Sequence, residues 1–441
     1  MKSKQSPPFR FRTHTAQQFR KNKPAVISLY VLVLIAAIAM LAPLLANERP
    51  LYIKYERENY FPAFSWKKNY IIKHQDGSSE KLQLDITDWK KIPAEKVIWA
   101  PVVYSPGKSD YNNANYKCPS CDQKFIDSNG SEIEMPGRFR HWLGTGNRGD
   151  DLLAGLIHGS RISLTIGFLS MGIATLIGIL LGAFAGFFGD HTLTTTRGRL
   201  TFTIIGIFFG WFYAFQLRSE TAGAGIENSG NSLLYEFLFG MLIFLLVVVI
   251  FYFLGKYLTI FKWLNKKVHI HVDGLISRLI EIMVSLPLFI LILTIAAISK
   301  PSIYNVMVII GLTNWTGIAR LTRAEMLRVR QQEFIQSAQA LGYSPFRIIL
   351  RHALPNALAP ALISVSFGIA NAILIESSLS FLGIGVPQDV TTWGSLLSAG
   401  HGNFSAWWLV VFPGLCIFIT VTAYNLIGEG LRDAMDPKMK Q

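Results

Sequence analysis

The sequence predicts an all-α integral membrane protein that also carries a small, partly β domain outside the bilayer. Of its 441 residues, 51% are hydrophobic and only 16% are charged, whereas soluble proteins contain about 25% charged residues. Long apolar runs recur along the chain, and a helix that crosses a bilayer needs roughly 20 apolar residues. The net charge is +14, and many of the basic residues that produce it lie beside these apolar runs, as is typical of cytoplasmic flanks. The composition therefore indicates a lipid bilayer, and not nucleic acid, as the partner of the basic residues.

Eight apolar stretches have the length and composition of membrane spans, or come close to it. They are residues 25–46, 162–189, 200–217, 237–255, 282–299, 301–319, 356–375 and 404–428. The first stretch exceeds the roughly 7–15 apolar residues of a signal peptide. We therefore expect a retained membrane anchor at the beginning of the chain.

The distribution of Lys and Arg predicts the orientation. Residues 1–24 contain basic residues and no acidic residue, so we expect a cytoplasmic N-terminus. Threading eight spans from there places residues 190–199, 256–281, 320–355 and 429–441 on the same side. These segments and the N-terminus contain 23 of the 42 Lys and Arg residues. Both termini are therefore predicted to be cytoplasmic.

The spans divide the chain into six predicted segments. They are a cytoplasmic basic N-terminus (1–24), a first transmembrane helix (25–46), an extracytoplasmic domain (47–150), a second transmembrane helix (151–190), an inserted transmembrane hairpin (191–270) and a core (271–441) with a cytoplasmic loop (320–355). The domain 47–150 has mixed charge, and alternating stretches such as residues 81–86 predict strands. Its basic residues are compatible with this location, because long loops cross membranes largely regardless of charge.

The loop 320–355 contains the signals of two short helices. The first is predicted to run to about Leu341, and Gly342 follows at a position that suits a left-handed helix cap. Ser344 is a candidate N-cap, and Pro345 fits the first helical position. We expect Pro355 to end the second helix.

The second of these helices is predicted to be amphipathic. Phe346, Ile349, Leu350 and Ala353 have the spacing of one helical face. A basic amphipathic helix of this kind can lie on a lipid surface or dock into a groove of a partner. The pattern alone leaves both alternatives open.

Several motifs resemble those of ABC importer permeases. Gln336-Ser337-Ala338, Gly342 and His352-Ala353-Leu354-Pro355 resemble the "EAA" loop of that family, in which Glu-Ala-Ala precedes a Gly and an Ile-x-Leu-Pro motif. Gln336, Ser337 and His352 here replace the Glu, an Ala and the Ile of the motif. Three further stretches resemble the C-type subunit of dipeptide, oligopeptide and nickel importers: residues 141–145 with Asp151 and 159–161, residues 375–383, and residues 425–433 with 436–437. The similarity covers 1–46, 139–190 and 271–438.

The resemblance implies a six-helix permease core, to which the hairpin at 200–255 is an addition. It implies that the chain forms half of a translocation pathway in a bacterial inner membrane. The implied partners are a second permease, two ATPase subunits and an extracytoplasmic substrate-binding protein. The implied coupling helix and its loop, which contact the ATPase, include Glu333, Gln336, Ser337, Ala338, Gly342, Pro345, Leu354 and Pro355. Peptides are the expected substrate, with nickel, opines or another small solute as the alternative.

The chain itself is not expected to be an enzyme or to bind a cofactor. It has no GxxxxGK[ST] phosphate loop, so we expect ATP to be hydrolysed by the partner subunits. No nucleophile–base pair or metal cluster is visible in the sequence. Two alternatives of a different class stay open: a membrane-anchored sensor or scaffold that acts through the domain 47–150, and an ion-coupled transporter.

Two features of the predicted spans suggest further roles. Gly178, Gly182 and Gly186 form a GxxxGxxxG pattern, which permits close approach of two helices, either within the subunit or against the second permease. Glu376 is an ionisable residue within a span, which costs about 2.5–3.5 kcal/mol at the bilayer centre. It is a candidate for the translocation path, with a structural hydrogen bond as the alternative.

Cys118 and Cys121 form an isolated CxxC pair in the predicted external domain. A structural zinc site needs four ligands, and the sequence has no second CxxC. His141 is the nearest additional candidate ligand. In an oxidising compartment a local disulfide is the favoured state, and metal binding is the alternative.

Overall fold

The computed structural model describes residues 17–55, 58–65, 69–73, 79–83, 89–92, 94–126, 131–190, 192–217, 230–258, 263–403 and 405–435. The chain forms two compact units. The larger unit comprises Met1–Ala183 and Ile280–Gln441, and the smaller unit comprises Phe184–Leu279.

The architecture is mainly helical. The α-helices with described bounds are α1 Lys23–Met40, α2 Ala42–Leu45, α3 Leu152–Phe188, α4 Arg197–Trp211, α5 Gly230–Tyr257, α6 Val272–Ser285, α7 Leu288–Ile298, α8 Ile303–Thr313, α9 Trp315–Arg330, α10 Glu333–Ala340, α11 Pro345–Ile348, α12 Leu354–Ala357, α13 Ala359–Phe381, α14 Trp393–His401 and α15 Trp408–Met435. The described strands are β1 Tyr52–Tyr55, β2 Glu58–Tyr60, β3 Asn69–Lys73, β4 Ser79–Gln83, β5 Lys96–Ile98, β6 Lys124–Ile126, β7 Glu132–Glu134, β8 Thr194–Thr196 and β9 Lys267–His269.

Five helices of the described chain are long and apolar enough to cross a membrane. They are α1, α3, the Phe239–Tyr257 part of α5, α13 and α15. In the larger unit, α15 packs against α1, α13 and α14. Many large apolar side chains on these helices face outward, as lipid contact requires; for example, Tyr30 is 71% exposed and Phe418 is 65% exposed. The chain is therefore built to be embedded in a bilayer.

The predicted span at 282–299 is not one straight helix. α6 ends at Ser285 and α7 begins at Leu288, and the two axes differ by 82°. Pro287 lies between them, and a proline removes a backbone N–H and disfavours helical backbone at the preceding residue. The pair has the length of a sixth span only if both helices are counted together.

Two other predicted spans also differ from expectation. The stretch 301–319 is divided at Asn314 into α8 and α9, and α9 continues to Arg330. Helical structure therefore extends into the predicted loop, because Thr322, Met326 and Val329 form a buried stripe along it. The stretch 200–217 overlaps the 15-residue α4, which begins earlier, at Arg197, and is followed by a π-helical turn, Phe212–Gln216.

The segment 47–150 contains several short strands. β1 lies between β2 and β5 in an antiparallel sheet, while β3 pairs with β4 and β6 with β7. A small core of Ile53, Tyr60, Trp89, Trp99 and Val103 packs beside the sheet. The predicted alternation at 81–86 falls partly on β4, and its remainder lies outside the described residues.

The smaller unit contains an antiparallel helical hairpin of α4 and α5. Glycines make the contact close, because a Cβ at Gly206 would lie 2.6 Å from the Phe251 Cβ, and a Cβ at Gly255 would lie 2.8 Å from the Gly198 oxygen. Strands β8 and β9 pair at the end of the hairpin where α4 begins and α5 ends.

Candidate coupling loop and buried polar sites

The segment 333–355 folds as short helices joined by a glycine turn. Gly342 follows α10 with a φ of +77°, a left-handed conformation that glycine adopts without a steric penalty. The N–H of Gly342 donates to the oxygen of Gln339 at 2.9 Å, and the N–H of Tyr343 donates to the oxygen of Ala338 at 3.2 Å. These two bonds form a Schellman motif. The predicted cap at Gly342 is confirmed.

The second part of the loop begins as predicted but ends differently. Pro345 occupies the first turn of α11, and Ser344 precedes it with extended backbone, although its side chain makes no capping bond. The turn Ile349–Ala353 is π-helical, closed by the N–H of Leu354 donating to the oxygen of Ile349. The prediction that Pro355 ends the helix is wrong. Pro355 lies in the first turn of α12, which follows the π-turn without a break.

The apolar residues of the loop form a buried set and an exposed set. The buried set is Ile335, Ala338, Ile348, Ile349 and Ala353. The exposed set, here called the loop face, is Phe334, Leu341, Tyr343, Phe346 and Leu350, which are 40–72% exposed. The prediction that Phe346, Ile349, Leu350 and Ala353 share one face is wrong. The π-turn at Ile349–Ala353 interrupts the regular α-helical spacing on which that prediction depends.

The polar side chains that the resemblance assigns to the loop form hydrogen bonds mainly with backbone oxygens of nearby residues. The Ser337 Oγ donates to the oxygen of Glu333 at 2.8 Å, and the Gln336 Nε2 donates to the oxygen of Gln331 at 3.2 Å. Such local bonds are usual for a serine within a helix. Leu354 is half-buried and Pro355 is exposed. The apolar loop face is therefore the outward feature of this segment.

Two glycines of the GxxxGxxxG pattern place α3 directly on α9. A Cβ at Gly178 would lie 2.8 Å from the oxygen of Trp315, and a Cβ at Gly182 would lie 2.5 Å from the oxygen of Ala319. Both contacts are within the larger unit, so they correspond to packing inside the subunit. Gly186 is buried further along the same helix, within the smaller unit.

Glu376 lies in α13 with no exposed surface. Its carboxylate accepts hydrogen bonds from the Ser380 Oγ at 2.8 Å and from the Ser163 Oγ of α3 at 3.2 Å. The Ser163 Oγ also lies 3.4 Å from the Trp393 backbone nitrogen, which donates to it. α3, α13 and α14 therefore meet around this carboxylate. The structure supports the alternative of a structural hydrogen bond, because the side chain is enclosed by the chain's own helices.

Cys118 and Cys121 are joined in a disulfide bond, which is the favoured one of the two alternatives. The Arg140 guanidinium donates to the oxygen of Pro119 beside it at 3.2 Å. Among the described residues, no group of three or more His, Cys, Asp or Glu side chains could hold a metal ion.

A buried bridge built on His141, which the sequence offers as a candidate metal ligand, joins the segment 47–150 to the beginning of α3. The His141 Nδ1 lies 2.8 Å from the Asp151 Oδ2, and its Nε2 lies 3.2 Å from the Asp110 Oδ2. The ring is fully buried and stacks on Tyr104, with 4.0 Å between the ring centroids. The buried Gln123 side chain bonds both the N–H and the oxygen of His141.

The electrostatics of this bridge favour an ionised pair. Burial opposes a charge on His141, but the hydrogen bonds to Asp110 and Asp151 outweigh it and raise the pKa of the imidazole above its ordinary value. Burial likewise opposes a charge on Asp110, but the bonds from His141 and Asn113 hold the pKa of that carboxyl below its usual range. His141 and Asp151 belong to one of the stretches that resemble the permease family, but no spacing in the sequence predicts that Asp110 completes the cluster.

Two family comparisons match the chain. Residues 263–441 match the family of the binding-protein-dependent transport system inner membrane component. Residues 12–63 match the N-terminal TM domain of oligopeptide transport permease C. The second match covers α1 and the beginning of the segment 47–150.

Individual relatives agree with these matches. The chain is 31% identical over 317 residues to the dipeptide transport system permease protein DppC of Alkalihalophilus pseudofirmus, covering 72% of this chain and 78% of that protein. It is 30% identical over 305 residues to the di/tripeptide transport system permease protein DppC of Pseudomonas aeruginosa, covering 69% and 74%. It is 27% identical over 424 residues to the inner membrane ABC transporter permease protein YejE of Escherichia coli, covering 95% of each.

Several helices that are long and apolar enough to cross a membrane, together with these matches, define a multi-span membrane permease. The chain belongs to the binding-protein-dependent permeases, the transmembrane subunits of ABC importers. Because the similarity to YejE covers 95% of both chains, most of the inserted hairpin and of the segment 47–150 falls within it.

Proposed function

We propose that the chain is one of two permeases in an ABC importer that carries dipeptides or short oligopeptides. The relatives named for dipeptide and di/tripeptide transport support the choice of substrate. Nickel, opines and other small solutes are the competing substrates. ATP is bound and hydrolysed by partner subunits, and this chain contributes half of the pathway.

The proposed assembly has a definite orientation. Both termini and the loop 333–355 face the cytoplasm, where two ATPase subunits bind. The segment 47–150 faces the opposite side, where a substrate-binding protein delivers its cargo. The excess of Lys and Arg in the predicted cytoplasmic segments supports this arrangement.

The loop face is the observation that carries the coupling proposal. Five apolar side chains project from a segment whose opposite side is fixed by Ile335, Ile348 and Ile349. An exposed apolar surface of this kind marks an interaction site. Arg347 lies over the Tyr343 ring, 5.5 Å from its centroid, and places a cation beside the apolar residues. The surface therefore suits a groove with an apolar floor and an acidic rim.

A contiguous set of contacts leads from the loop face into the membrane helices. α9 packs against α10, α12 and α13, and its other side meets α3 at Gly178 and Gly182. A displacement of the loop by the ATPases would therefore move α9 and α3 together. ATP would in this way bias the permease between inward-facing and outward-facing states.

Co-purification tests this proposal. We expect a double substitution, Phe346→Ala with Leu350→Ala, to weaken ATPase binding at least about tenfold, the loss expected of two interface anchors. Phe64→Ala, which is 56% exposed in the segment 47–150, is the matched control and should bind normally. Undiminished ATPase binding by the double variant would contradict the coupling role. ATP-dependent uptake of labelled dipeptide, compared with nickel, tests the substrate.

A further inference from the structure

The smaller unit carries a basic and aromatic surface at one end of its hairpin. α4 begins and α5 ends there, and β9 is paired to β8, with Thr196 opposite Lys267. Two backbone bonds hold the adjoining segment against α4. The N–H of Arg197 donates to the oxygen of Lys266 at 3.0 Å, and the N–H of Gly198 donates to the oxygen of Leu264 at 2.9 Å. The surface is therefore a built feature of the fold.

Cationic and aromatic side chains alternate on this surface. The Arg197 guanidinium lies 5.8 Å from the centre of the Trp263 ring, and the Arg199 guanidinium lies 5.7 Å from that of Tyr252. Trp263 is 70% exposed. The Nε of Arg199 is buried and has no hydrogen-bond partner. A guanidinium that leaves a donor unused has capacity for an anion.

Most of the charged side chains at this end are basic. Lys266 and Lys267 are exposed beside Arg197 and Arg199. The sequence has no Asp or Glu at 191–219 or 237–272. The nearest preceding acid, Asp190, accepts the N–H of Gly274 at 2.9 Å. Beyond this surface, α4 and α5 expose apolar side chains, including Phe208 at 61% and Leu242 at 59%, which suit acyl chains.

We propose that Arg197, Arg199, Lys266 and Lys267 bind the phosphate of an anionic phospholipid headgroup, with Trp263 at the membrane interface. Clustered Lys and Arg next to a membrane helix attract anionic lipid, and Trp side chains concentrate at the headgroup level. The exposed apolar hairpin that continues from this surface favours a lipid over a soluble anion or a nucleic acid. The inserted hairpin would then be a lipid-anchored element of the permease.

The test uses the full-length purified permease. Binding of phosphatidylglycerol, with phosphatidylcholine as the neutral comparison, is measured by native mass spectrometry. The variant is Arg197→Gln, Lys266→Gln and Lys267→Gln together. The matched control is Lys96→Gln, Arg138→Gln and Arg148→Gln, which are exposed basic residues of the segment 47–150.

The wild type and the control should prefer phosphatidylglycerol, and each neutralised residue should reduce that binding about fivefold. Equal binding of the two lipids by the wild type would overturn the proposal, as would an unchanged preference in the variant. Full displacement of the lipid by inorganic phosphate would also overturn it, since the site would then recognise a free anion. Equal melting temperatures of the variant and the wild type in phosphatidylcholine would show that the variant is folded. If the triple variant unfolds, Lys266→Gln alone is used in its place, and its binding of phosphatidylglycerol should fall about fivefold.

Discussion

The imidazole of His141 and the carboxylate of Asp151 are 2.8 Å apart and almost completely buried. The other oxygen of Asp151 accepts the N–H of Ala154 at 2.7 Å, in the first turn of α3. An acid at this position is stabilised by the helix dipole and caps the helix. One carboxylate therefore fixes both the beginning of a membrane helix and the histidine of the adjoining segment.

The stability of this bridge should depend on pH. The pKa of His141 is raised in the folded protein, so protonation of this histidine stabilises the fold. The stabilisation is complete at pH values below the ordinary pKa of about 6.5, and it is lost as the pH rises through the pKa of the folded state. The carboxylate of Asp110, whose pKa is lowered, stabilises the fold above about pH 3.9 and loses its effect as the pH falls. Lys90, 3.8 Å from the Tyr104 ring centroid, also favours the ionised carboxylate.

The measurement is the melting temperature of the purified permease from about pH 5 to about pH 9, the range in which a histidine titrates. The wild type should become less stable towards alkaline pH. His141→Gln should lose about 3 kcal/mol at the acid end, as expected when one partner of a buried pair is removed, and should show a flatter profile. His269→Gln, an exposed histidine, is the control. Parallel profiles for His141→Gln and the wild type would disprove the role of the bridge.

Two glycines of α3 make a matched pair for helix packing. A Cβ at Gly182 would lie 2.5 Å from the oxygen of Ala319, whereas a Cβ at Gly172 would meet nothing within 4 Å. We therefore expect Gly182→Ala to destabilise the protein by about 1–3 kcal/mol, the usual effect of overpacking, and Gly172→Ala to be tolerated. Melting temperature and uptake check both. Equal behaviour of the two variants would contradict the close contact of α3 with α9.

Substitutions of Glu376 can distinguish a structural role of its carboxyl group from a role in transport. Glu376→Gln keeps two hydrogen-bonding groups, because its amide oxygen can accept from one of the Ser380 and Ser163 hydroxyls and its amide N–H can donate to the other, so we expect a folded protein with nearly normal uptake. Glu376→Leu removes them and should cost about 1–3 kcal/mol for the buried groups left unpaired. Loss of uptake by a stable Glu376→Gln variant would show instead that the charge itself acts in transport.

The effect of a substitution at Gly342 should depend on how readily the new residue adopts a positive φ. Its φ is +77°, and a Cβ would meet no atom within 4 Å, so the cost is one of conformation alone. Asn visits this region more readily than other residues. We expect Gly342→Asn to retain ATPase binding and Gly342→Val to weaken it, with a difference of about 1–2 kcal/mol in stability. Equal ATPase binding by both variants would show that the turn does not set the position of the loop face.

Local signals in the sequence predicted the features that depend on local chemistry. The apolar runs predicted α1, α13 and α15, and Gly342 with Pro345 predicted the turn and the start of α11. The bend at Pro287 was missed because an apolar run on both sides of a proline also fits one long helix. The π-turn at 349–353 was missed because it depends on the packing of Ile348 and Ala353 and has no distinct sequence pattern.

Long-range contacts could not be derived from the sequence. The bridge of Asp110, His141 and Asp151 depends on how loops return to the start of α3. The environment of Glu376 depends on Ser163, more than two hundred residues away in the chain. Spacing predicts which residues share a helix face, but it does not predict which other helix that face meets.

The central claim is that the loop face contacts the ATPase, and site-directed cross-linking tests it most directly. A single cysteine at Leu350, which is 62% exposed, is introduced with Cys416→Ser, and the assembled importer is treated with a short thiol cross-linker. We predict a covalent product with an ATPase subunit carrying a cysteine in its permease-facing groove, and none from a cysteine at Phe64. Labelling of the Leu350 cysteine in intact cells by a reagent that cannot cross the membrane would contradict the account.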